Sequence, residues 1–227
     1  MNEIIAIIPA RGGSKGLPKK NIKDLNGKPL INYTIDSAID SKVFTKIIVS
    51  TDDDEIALKS DREGVKVIKR PADLATDESD VLDTILQIVN YEFTLVDSDT
   101  IVLLQPTSPL RNYKDIRNSL ELFKGKNCDT VVSISKCAHP PQWNYKVVNN
   151  FLIPMFKDGL KRRQDGDNWY TLNGAIYITS VKILHKYKSF LKGKVKPYMM
   201  PPERSVDIDQ EIDLELCKLI LNKEMVR

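Results

Sequence analysis

The sequence has little of what secreted, membrane-spanning or zinc-binding proteins need. Only three of its 227 residues are cysteines. Cys128, Cys137 and Cys217 are widely spaced and form no CxxC pair, which disfavours both a disulfide framework and a zinc cluster. No apolar run approaches the roughly 20 residues of a membrane-spanning helix. Glu3 stands where a secretion signal carries basic residues, so we expect a cytoplasmic chain that has no membrane partner.

Charge and composition argue against two further classes of protein. The 34 Lys and Arg residues nearly balance the 31 Asp and Glu residues, for a net charge of +3. Bulk charge therefore does not indicate a nucleic-acid partner. Hydrophobic residues make up 41% and charged residues 29% of the chain, proportions that are typical of a folded globular protein. We expect a single domain over residues 1–227, a length sufficient for a sizeable core.

What the sequence does contain is a regular alternation of strand-like and helix-like segments. Ile4–Pro9 is a short continuous apolar run, which predicts a strand buried on both faces. The other predicted strands are Lys46–Ser50, Val65–Lys69, Thr100–Gln105, Thr130–Ser135, Gly174–Thr179 and Lys196–Met200. The predicted helices are Pro29–Ser41, Asp53–Glu63, Ser79–Tyr91, Tyr113–Lys124, Ser180–Phe190 and Gln210–Asn222. This order predicts an α/β fold, Rossmann-like and doubly wound around a mostly parallel sheet.

The last predicted helix carries an apolar stripe that we expect to face the core. Its members are Ile212, Leu216, Leu219 and Ile220.

The alternation breaks between residues 137 and 170. Asn149-Asn150 predicts a hairpin turn between two short extended pieces, Lys146–Val148 and Phe151–Ile153. We interpret 137–170 as a small lobe inserted into the sheet domain. The segment is too short to bury its own apolar residues, which favours contact with a partner subunit. Those residues are Trp143, Phe151, Ile153 and Met155.

A glycine-rich basic loop, Ala10–Asn21, follows the first strand directly. In open parallel sheets, ligands bind beyond the carboxyl ends of the strands, where this loop lies. Its three glycines let the backbone turn and offer N–H groups to an anion, and four cations stand among them. Neither GxxxxGK(S/T) nor GxGxxG is present. The pattern favours a phosphate-binding loop over a solvated basic turn.

A second pattern is Asp207-Ile208-Asp209. In an extended segment, alternation turns both carboxylates to one side and Ile208 to the other. Magnesium prefers one or two carboxylates together with substrate phosphates and water. The alternative is that Asp209 only caps the helix that starts at Gln210. The residues alone leave the two interpretations equal.

Six ordered blocks resemble the acylneuraminate cytidylyltransferases, the family that activates nine-carbon ulosonic acids. They are IPARGGSKGLPKKN at 8–21, IVSTDDDEIA at 48–57, RPADLATDES at 70–79, LLQPTSPLR at 103–111, NGAIYI at 173–178 and DIDQEIDL at 207–214. The resemblance spans nearly the whole chain. It implies attack of the sugar's anomeric hydroxyl on the α-phosphorus of CTP, with release of pyrophosphate, in a magnesium-dependent homodimer. Kdo cytidylyltransferases typically carry Arg where Lys15-Gly16 stands here.

The resemblance also assigns roles at the nucleotide. Arg11 and Lys15 are expected to hold the β- and γ-phosphates, and Lys20 and Asn21 to contact the nucleotide or the reacting phosphate. The residues expected at the nucleotide are Ala10, Arg11, Gly12, Gly13, Ser14, Lys15, Asn21, Arg70 and Ser79. With the family in view, Asp207 and Asp209 are both expected to bind Mg²⁺. Asp207 is also expected to act as base on the sugar hydroxyl, directly or through water.

A second set is expected at the sugar acid. Gln105 ends an apolar strand, where its polar side chain needs a partner; the family uses the matching Gln for the sugar, and the alternative is a hydrogen bond to a neighbouring loop. A guanidinium fork suits a carboxylate, and Arg163 is the expected residue, with Arg162 left open. Asn173 and Tyr177 can line one wall, although core packing is the alternative for Tyr177.

Some assignments stay open at this point. Thr107, Ser108 and Arg111 either belong to the sugar wall or cap the following helix. The rival functions are a Kdo cytidylyltransferase, a sugar guanylyltransferase and a noncatalytic nucleotide-sugar binding module. The intact Asp207 and Asp209 argue against the last of these. A nucleic-acid protein ranks lowest, because no aromatic residues interleave with the basic loop.

Overall fold

The computed structural model describes residues 2–14, 16–76, 78–125, 127–156 and 168–225. The strands are β1 Ile4–Pro9, β2 Asp24–Leu25, β3 Lys28–Pro29, β4 Lys46–Thr51, β5 Val65–Lys69, β6 Thr100–Leu103, β7 Thr130–Lys136, β8 Tyr145–Val148, β9 Phe151–Pro154, β10 Tyr170–Ser180 and β11 Val195–Met199. The helices are α1 Leu30–Ser41, α2 Asp54–Ser60, α3 Val81–Gln87, α4 Tyr113–Lys124, α5 Val181–Tyr187 and α6 Glu211–Met225. In this part of the chain, no helix has the length and apolar character to cross a membrane.

Seven strands form the central sheet, in the order β11-β7-β10-β6-β1-β4-β5. β10 pairs antiparallel with both of its neighbours, and the other pairs are parallel. The chain runs outward from β1 to β4 and β5, then returns to place β6 on the other side of β1. That reversal creates a crevice at the carboxyl ends of β1 and β6. The predicted Rossmann-like, mostly parallel α/β fold is confirmed.

The first strand is apolar throughout because it is covered on both faces. Ile5 and Ile7 pack in one core cluster together with Ile85 of α3. Ala6 and Ile8 point the other way and pack in a second cluster together with Ile35 of α1. The alternation of side chains along a strand therefore supplies one residue to each layer in turn.

A third apolar cluster lies below the crevice. It brings Leu17, from the loop after β1, together with Ile208 and with Leu214 of α6. All three side chains are buried. Two segments that are far apart in sequence, the glycine-rich loop and the aspartate pair, are thereby anchored in one piece of core.

The predicted hairpin is confirmed. β8 and β9 pair antiparallel, and Asn149 and Asn150 take positive φ values of 49° and 67° at the turn, as a two-residue type I′ turn requires. Every residue of both strands is exposed. The interpretation of 137–170 as a distinct lobe within one domain stays a prediction, and residues 157–167 lie outside the described part of the chain.

The inward stripe predicted for the last helix is wrong at three of its four positions. In α6 the buried residues are Leu214 and Cys217, and Ile220 packs partly buried against them. The three exposed members of the predicted stripe are Ile212 at 71%, Leu216 at 46% and Leu219 at 60%. α6 carries apolar residues on two faces, so periodicity alone does not identify the face that meets the core.

Candidate active site

A pocket of about 320 Å³ opens at the carboxyl ends of β1 and β6. Its lining comes from the loops after β1, β5 and β6, from the first turns of α3 and from the segment before α6. The lining residues are Pro9, Arg11, Gly13, Ser14, Lys20, Asn21, Arg70, Leu74, Thr76, Ser79, Asp80, Val81, Thr84, Gln105, Pro106, Thr107, Asp207 and Asp209.

Most residues that the sequence predicts for the site meet in this pocket. They are Arg11, Gly13, Ser14, Lys20, Asn21, Arg70, Ser79, Gln105, Asp207 and Asp209. Ala10 and Gly12 are sequence neighbours of lining residues but are not part of the lining, and neither are Asn173 and Tyr177 of β10. Lys15, Arg162 and Arg163 lie outside the described residues.

The glycine-rich loop is fastened to the end of β4. The Ala10 N–H donates to the carbonyl of Ser50 at 2.9 Å, and the Gly12 N–H donates to Oδ1 of Asp52 at 3.0 Å. A Cβ on Gly12 would lie 2.7 Å from Oδ2 of Asp53. Gly12 therefore permits a close approach to the acidic turn, and its N–H is committed to Asp52. A Cβ on Gly13 would meet no atom within 4 Å.

Two side chains tie this loop to the other pocket walls. Asn21 is buried, and its Nδ2 donates to the carbonyl of Arg11 at 2.9 Å. Nη1 of Arg11 donates to the carbonyl of Thr76 at 2.7 Å, in the segment that follows β5. The cation predicted to meet phosphates thus also links the loop after β1 to the loop after β5.

Lys20 bridges the glycine-rich loop and the aspartate pair. Its Nζ lies 2.9 Å from Oδ1 of Asp209, and its side chain is only 15% exposed. The backbone N–H groups of Asp209 and Gln210 both donate to Oδ2 of Asp213, at 3.0 and 2.8 Å. Asp213 therefore accepts the hydrogen bonds of the backbone N–H groups at the start of α6. The sequence had left this capping role open for Asp209.

Asp207 and Asp209 both line the pocket, while Ile208 between them is fully buried and donates its N–H to the carbonyl of Thr107 at 2.8 Å. The pKa of Asp207 is raised above its ordinary value. Partial desolvation by the pocket wall is the main cause. The charge of Asp209 raises the pKa further, whereas a hydrogen bond with Thr107 lowers it. A cation bound here would relieve that repulsion.

The donor set suits magnesium better than a metal held by protein alone. Within the described part of the chain, no group of three or more His, Cys, Asp and Glu side chains could hold a metal ion. Two carboxylates in a pocket that also carries basic residues fit Mg²⁺. This ion is usually held by one or two protein carboxylates and takes its remaining ligands from substrate and water.

Arg70 is buried rather than a solvated strand-end cation. Its Nη2 donates to the carbonyl of Ser50 at 2.8 Å and its Nε to the Ser50 hydroxyl at 3.3 Å. Burial lowers the pKa of the guanidinium, and the charge of Asp52 opposes that shift. The segment it begins closes on itself, since the Ser79 hydroxyl donates to the carbonyl of Asp73 at 2.9 Å.

Gln105 reaches the pocket past a bulge in β10. The register of β10 against β7 shifts between Leu172 and Tyr177, and Gly174 within that shift has a φ of +73°. A Cβ at Gly174 would lie 2.6 Å from Oε1 of Gln105. Only glycine leaves room for the Gln105 side chain at this point.

Asn173 and Tyr177 make contacts within the protein. Oδ1 of Asn173 accepts from the Ser133 hydroxyl at 2.6 Å, and its Nδ2 donates to the Ser205 hydroxyl at 2.9 Å. Tyr177 packs edge-on against Phe190, with ring centroids 5.7 Å apart, and burial raises its pKa. These contacts match the core-packing alternative for Tyr177. The assignment of both residues to the sugar stays a prediction.

Among the residues left open, only Thr107 lines the pocket. Arg111 is buried and donates from Nη1 to the carbonyls of Gln105 and Ala175, at 3.2 and 3.0 Å; burial lowers its pKa to about 9. None of Thr107, Ser108 and Arg111 caps the next helix, because Asn112 does so in a capping box with Asp115.

The sequence assigns no individual role to several lining residues: Leu74, Thr76, Asp80, Val81 and Thr84. The first three lie in the segment Arg70–Asp80, which follows β5 at the carboxyl edge of the sheet, where ligands of parallel sheets bind. Val81 and Thr84 lie on α3, whose sequence carries no sign that one face meets a ligand.

Comparisons with known proteins bear on the family of this chain. The profile described as "Cytidylyltransferase" matches residues 5–214. The chain is 39% identical to a CMP-N,N'-diacetyllegionaminic acid synthase of Legionella pneumophila, over 97% of this chain and 98% of that one. It is 40% identical to an N-acylneuraminate cytidylyltransferase of Streptococcus agalactiae, over 92% of this chain and 51% of that one. It therefore spans nearly all of the first relative and about half of the second.

Solved structures share the fold at low identity. A CMP:2-keto-3-deoxy-manno-octonic acid synthetase complexed with CTP aligns with a TM-score of 0.73 and 18% identity, over 98% of this chain and 100% of that one. The 2-C-methyl-D-erythritol 4-phosphate cytidylyltransferase of Francisella tularensis aligns with a TM-score of 0.70 and 16% identity, over 96% of this chain and 100% of that one. At these identities the likeness concerns the fold alone.

Proposed function

Since this chain belongs to the cytidylyltransferase family, we propose that it transfers CMP from CTP to a nonulosonic acid of the sialic-acid type and releases pyrophosphate. One observation carries the proposal: a single pocket brings the basic loop after β1 together with the Asp207-Ile208-Asp209 segment. Cations for a triphosphate and carboxylates for magnesium are what nucleotidyl transfer needs, because it depends on positioning and charge neutralisation.

On the nucleotide side, Arg11 and Lys20 are the cations that line the pocket from the glycine-rich loop. Both are held by contacts with other walls, Arg11 with Thr76 and Lys20 with Asp209. Such preorganisation lets a cation stabilise charge that develops on a leaving pyrophosphate at little cost in reorganisation. Lys15 is proposed to act with them.

Asp207 and Asp209 are proposed to hold Mg²⁺ together with oxygens of the triphosphate. When bound, the metal ion neutralises charge on the phosphate oxygens. The pair of carboxylates faces the pocket from one short segment that is anchored by the buried Ile208. Lys20, which contacts Asp209, is proposed to lie between the metal ligands and the phosphates.

In the proposed reaction, the anomeric oxygen of the sugar forms a bond to the α-phosphorus of CTP, and the bond from that phosphorus to the bridging oxygen of pyrophosphate breaks. The proton of the sugar hydroxyl goes to a base, directly or through water. Asp207 is the residue proposed for this step, because it lines the pocket together with Gln105, the residue proposed for the sugar.

The sugar class comes from the relatives. One is named for diacetyllegionaminic acid and others for N-acylneuraminate, and both are nonulosonic acids. Gln105, which lines the pocket beside Asp207, is proposed to contact the sugar, together with Asn173 and Tyr177. Arg163 is proposed to pair with the sugar carboxylate.

We propose a homodimer that forms through the β8–β9 hairpin. Apolar side chains of the hairpin are strongly exposed, including Val147 at 70%, Phe151 at 73% and Leu152 at 67%. Exposed apolar residues concentrated in one small element mark an interaction surface. The proposed CTP substrate is a cytoplasmic metabolite, which makes the cytoplasm the compartment we propose.

Pyrophosphate release tests the proposal directly. We expect turnover with CTP and a nonulosonic acid in the presence of Mg²⁺, and none with ATP, GTP or UTP or after chelation of the metal. A panel of neuraminic, legionaminic, pseudaminic and eight-carbon Kdo acids would identify the sugar. Turnover with GTP but not CTP would contradict the proposal in favour of a guanylyltransferase. Tight CTP binding without turnover on any sugar would favour a noncatalytic binding module.

A further inference from the structure

One polar group in the pocket wall has no partner in the folded chain. Thr84 is fully buried, and among the residues that the structure describes its hydroxyl Oγ1 has no hydrogen-bond partner. Buried hydroxyls are nearly always hydrogen-bonded, because burial without a partner costs free energy. The exception calls for a physical reason.

The place of Thr84 supplies one. It lies one turn after Val81 on α3, and both residues line the pocket. Residues three apart occupy the same face of a helix. Ile85 and Ile88 on the neighbouring face pack in the core. The backbone carbonyl of Thr84 accepts from the Ile88 N–H, whereas the side-chain hydroxyl is the group left without a partner among the described residues.

The surroundings of Thr84 suit a heterocyclic base better than a phosphate. Leu74, in the loop after β5, and Val81, one turn before Thr84 on α3, also line the pocket. An apolar side chain forms neither a hydrogen bond nor an ion pair with a phosphate. The cations of the pocket come from the loop after β1 and from Arg70. A flat base can contact Leu74 and Val81 while its polar edge forms a hydrogen bond with a hydroxyl.

We propose that Thr84 is a base-recognition residue whose hydroxyl forms its missing hydrogen bond with the polar edge of the pyrimidine. The inference rests on the proposed function, since it assumes that a cytidine nucleotide occupies this pocket. It adds a residue on α3 to Arg70 and Ser79 of the loop after β5, which the sequence resemblance expects at the nucleotide.

The test is calorimetric binding of CTP to the full chain with Thr84→Val, which replaces the hydroxyl by a methyl group of nearly the same size. We expect about tenfold weaker CTP binding, because the base loses a partner. We expect unchanged binding of inorganic tripolyphosphate, which has no base. Thr84→Ser keeps the hydroxyl and serves as the matched control, with CTP affinity within about twofold of the wild type.

Stability gives a second readout with the opposite sign. Because the hydroxyl has no partner in the folded chain, Thr84→Val should raise the melting temperature of the free protein even as it weakens CTP binding. If Thr84→Val fails to fold, Thr84→Ala and Thr84→Ser pose the same question as a pair.

Unchanged CTP affinity in Thr84→Val, with the melting temperature raised, would overturn the inference and leave Thr84 a packing residue. Equal losses of CTP and tripolyphosphate affinity would overturn it too, because the defect would not concern the base. Failure of the wild-type protein to bind CTP would overturn the proposed function and this inference together, whereas an unaffected variant of a CTP-binding wild type would overturn this inference alone.

Discussion

The pocket wall and the β8–β9 hairpin are held in place in different ways. The wall, formed by the loop after β1 and the segment Arg70–Thr84, is tied together by hydrogen bonds from buried or half-buried side chains such as Asn21 and Arg70. The hairpin has a regular turn and regular pairing but buries none of its residues. A pocket wall held by internal hydrogen bonds and an exposed apolar hairpin are thus combined in one molecule.

The largest effect that would sharpen this comparison is expected in the wall. Asp209→Ala should lower turnover about 1,000-fold or more, because charge stabilisation by a bound metal is worth several kcal/mol and each 1.4 kcal/mol is a factor of ten. The fold should survive, since the Asp209 side chain is 73% exposed. Pyrophosphate release and circular dichroism measure the two properties. Near-normal turnover would remove Asp209 from the metal site.

The next largest effect is expected in the hairpin and should leave the wall intact. Val147 and Leu152 lie directly opposite each other across the two strands. Val147→Asp combined with Leu152→Asp should weaken the homodimer about 100-fold or more, because two charges would be buried in an apolar interface. Light scattering measures the mass, and CTP affinity should stay within about twofold. Leu152→Met is the conservative control. A mass that does not change with the double variant would place the interface elsewhere.

An intermediate effect is expected within the wall itself. Gly12→Ala should weaken CTP binding about tenfold, because its Cβ would lie 2.7 Å from Asp53 and overpacking costs about 1–3 kcal/mol. Gly13→Ala is the matched control for the fit within the protein: its Cβ would meet no protein atom within 4 Å, so the melting temperature of the free protein should hardly change, whereas Gly12→Ala should lower it. Equal changes in melting temperature would show that Gly12 does not fit closely against Asp53.

The smallest effect is on stability. The pKa of Asp207 is raised in the folded protein. Between the unfolded and folded pKa values the unfolded chain binds fewer protons, so the free energy of unfolding falls as pH rises through that window and stays lowered at neutral pH. Asp207→Asn removes this cost and should raise the melting temperature at pH 7, by no more than the roughly 2–4 °C that 1 kcal/mol produces, since Asp207 is solvent-accessible.

Turnover should be lost in the same Asp207→Asn variant. At a pH well below the unfolded pKa, where Asp207 is protonated in both states, the melting temperatures of wild type and variant should converge. A variant that is less stable than the wild type at pH 7 would contradict the sign of the pKa shift.

The sheet could be predicted because its strands obey local rules. Ile4–Pro9 is apolar on both faces and has a single interpretation, and Asn149-Asn150 has the backbone preference of its turn. α6 could not be predicted in the same detail. Its two apolar stripes compete, and only the packing of Leu214 and Cys217 below the pocket decides between them.

The site was predictable where chemistry concentrates in sequence. Arg11 and Lys20 stand in a basic loop whose composition favours a phosphate, and Asp209 stands in an aspartate pair that the family resemblance assigns to a metal; all three line the pocket. Contacts between distant segments were not predictable, such as the commitment of the Gly12 N–H to Asp52 or the pocket-facing position of Thr84. They depend on which strand ends meet, and no local pattern records that.

The central claim is that the basic loop and the distant aspartate pair act on one magnesium-bound CTP. Calorimetric titration of CTP in Mg²⁺ and in EDTA, with the wild type and with Asp207→Asn combined with Asp209→Asn, tests it most directly. The account predicts that Mg²⁺ tightens CTP binding to the wild type and that this gain disappears in the double variant. The same gain in both proteins would contradict it.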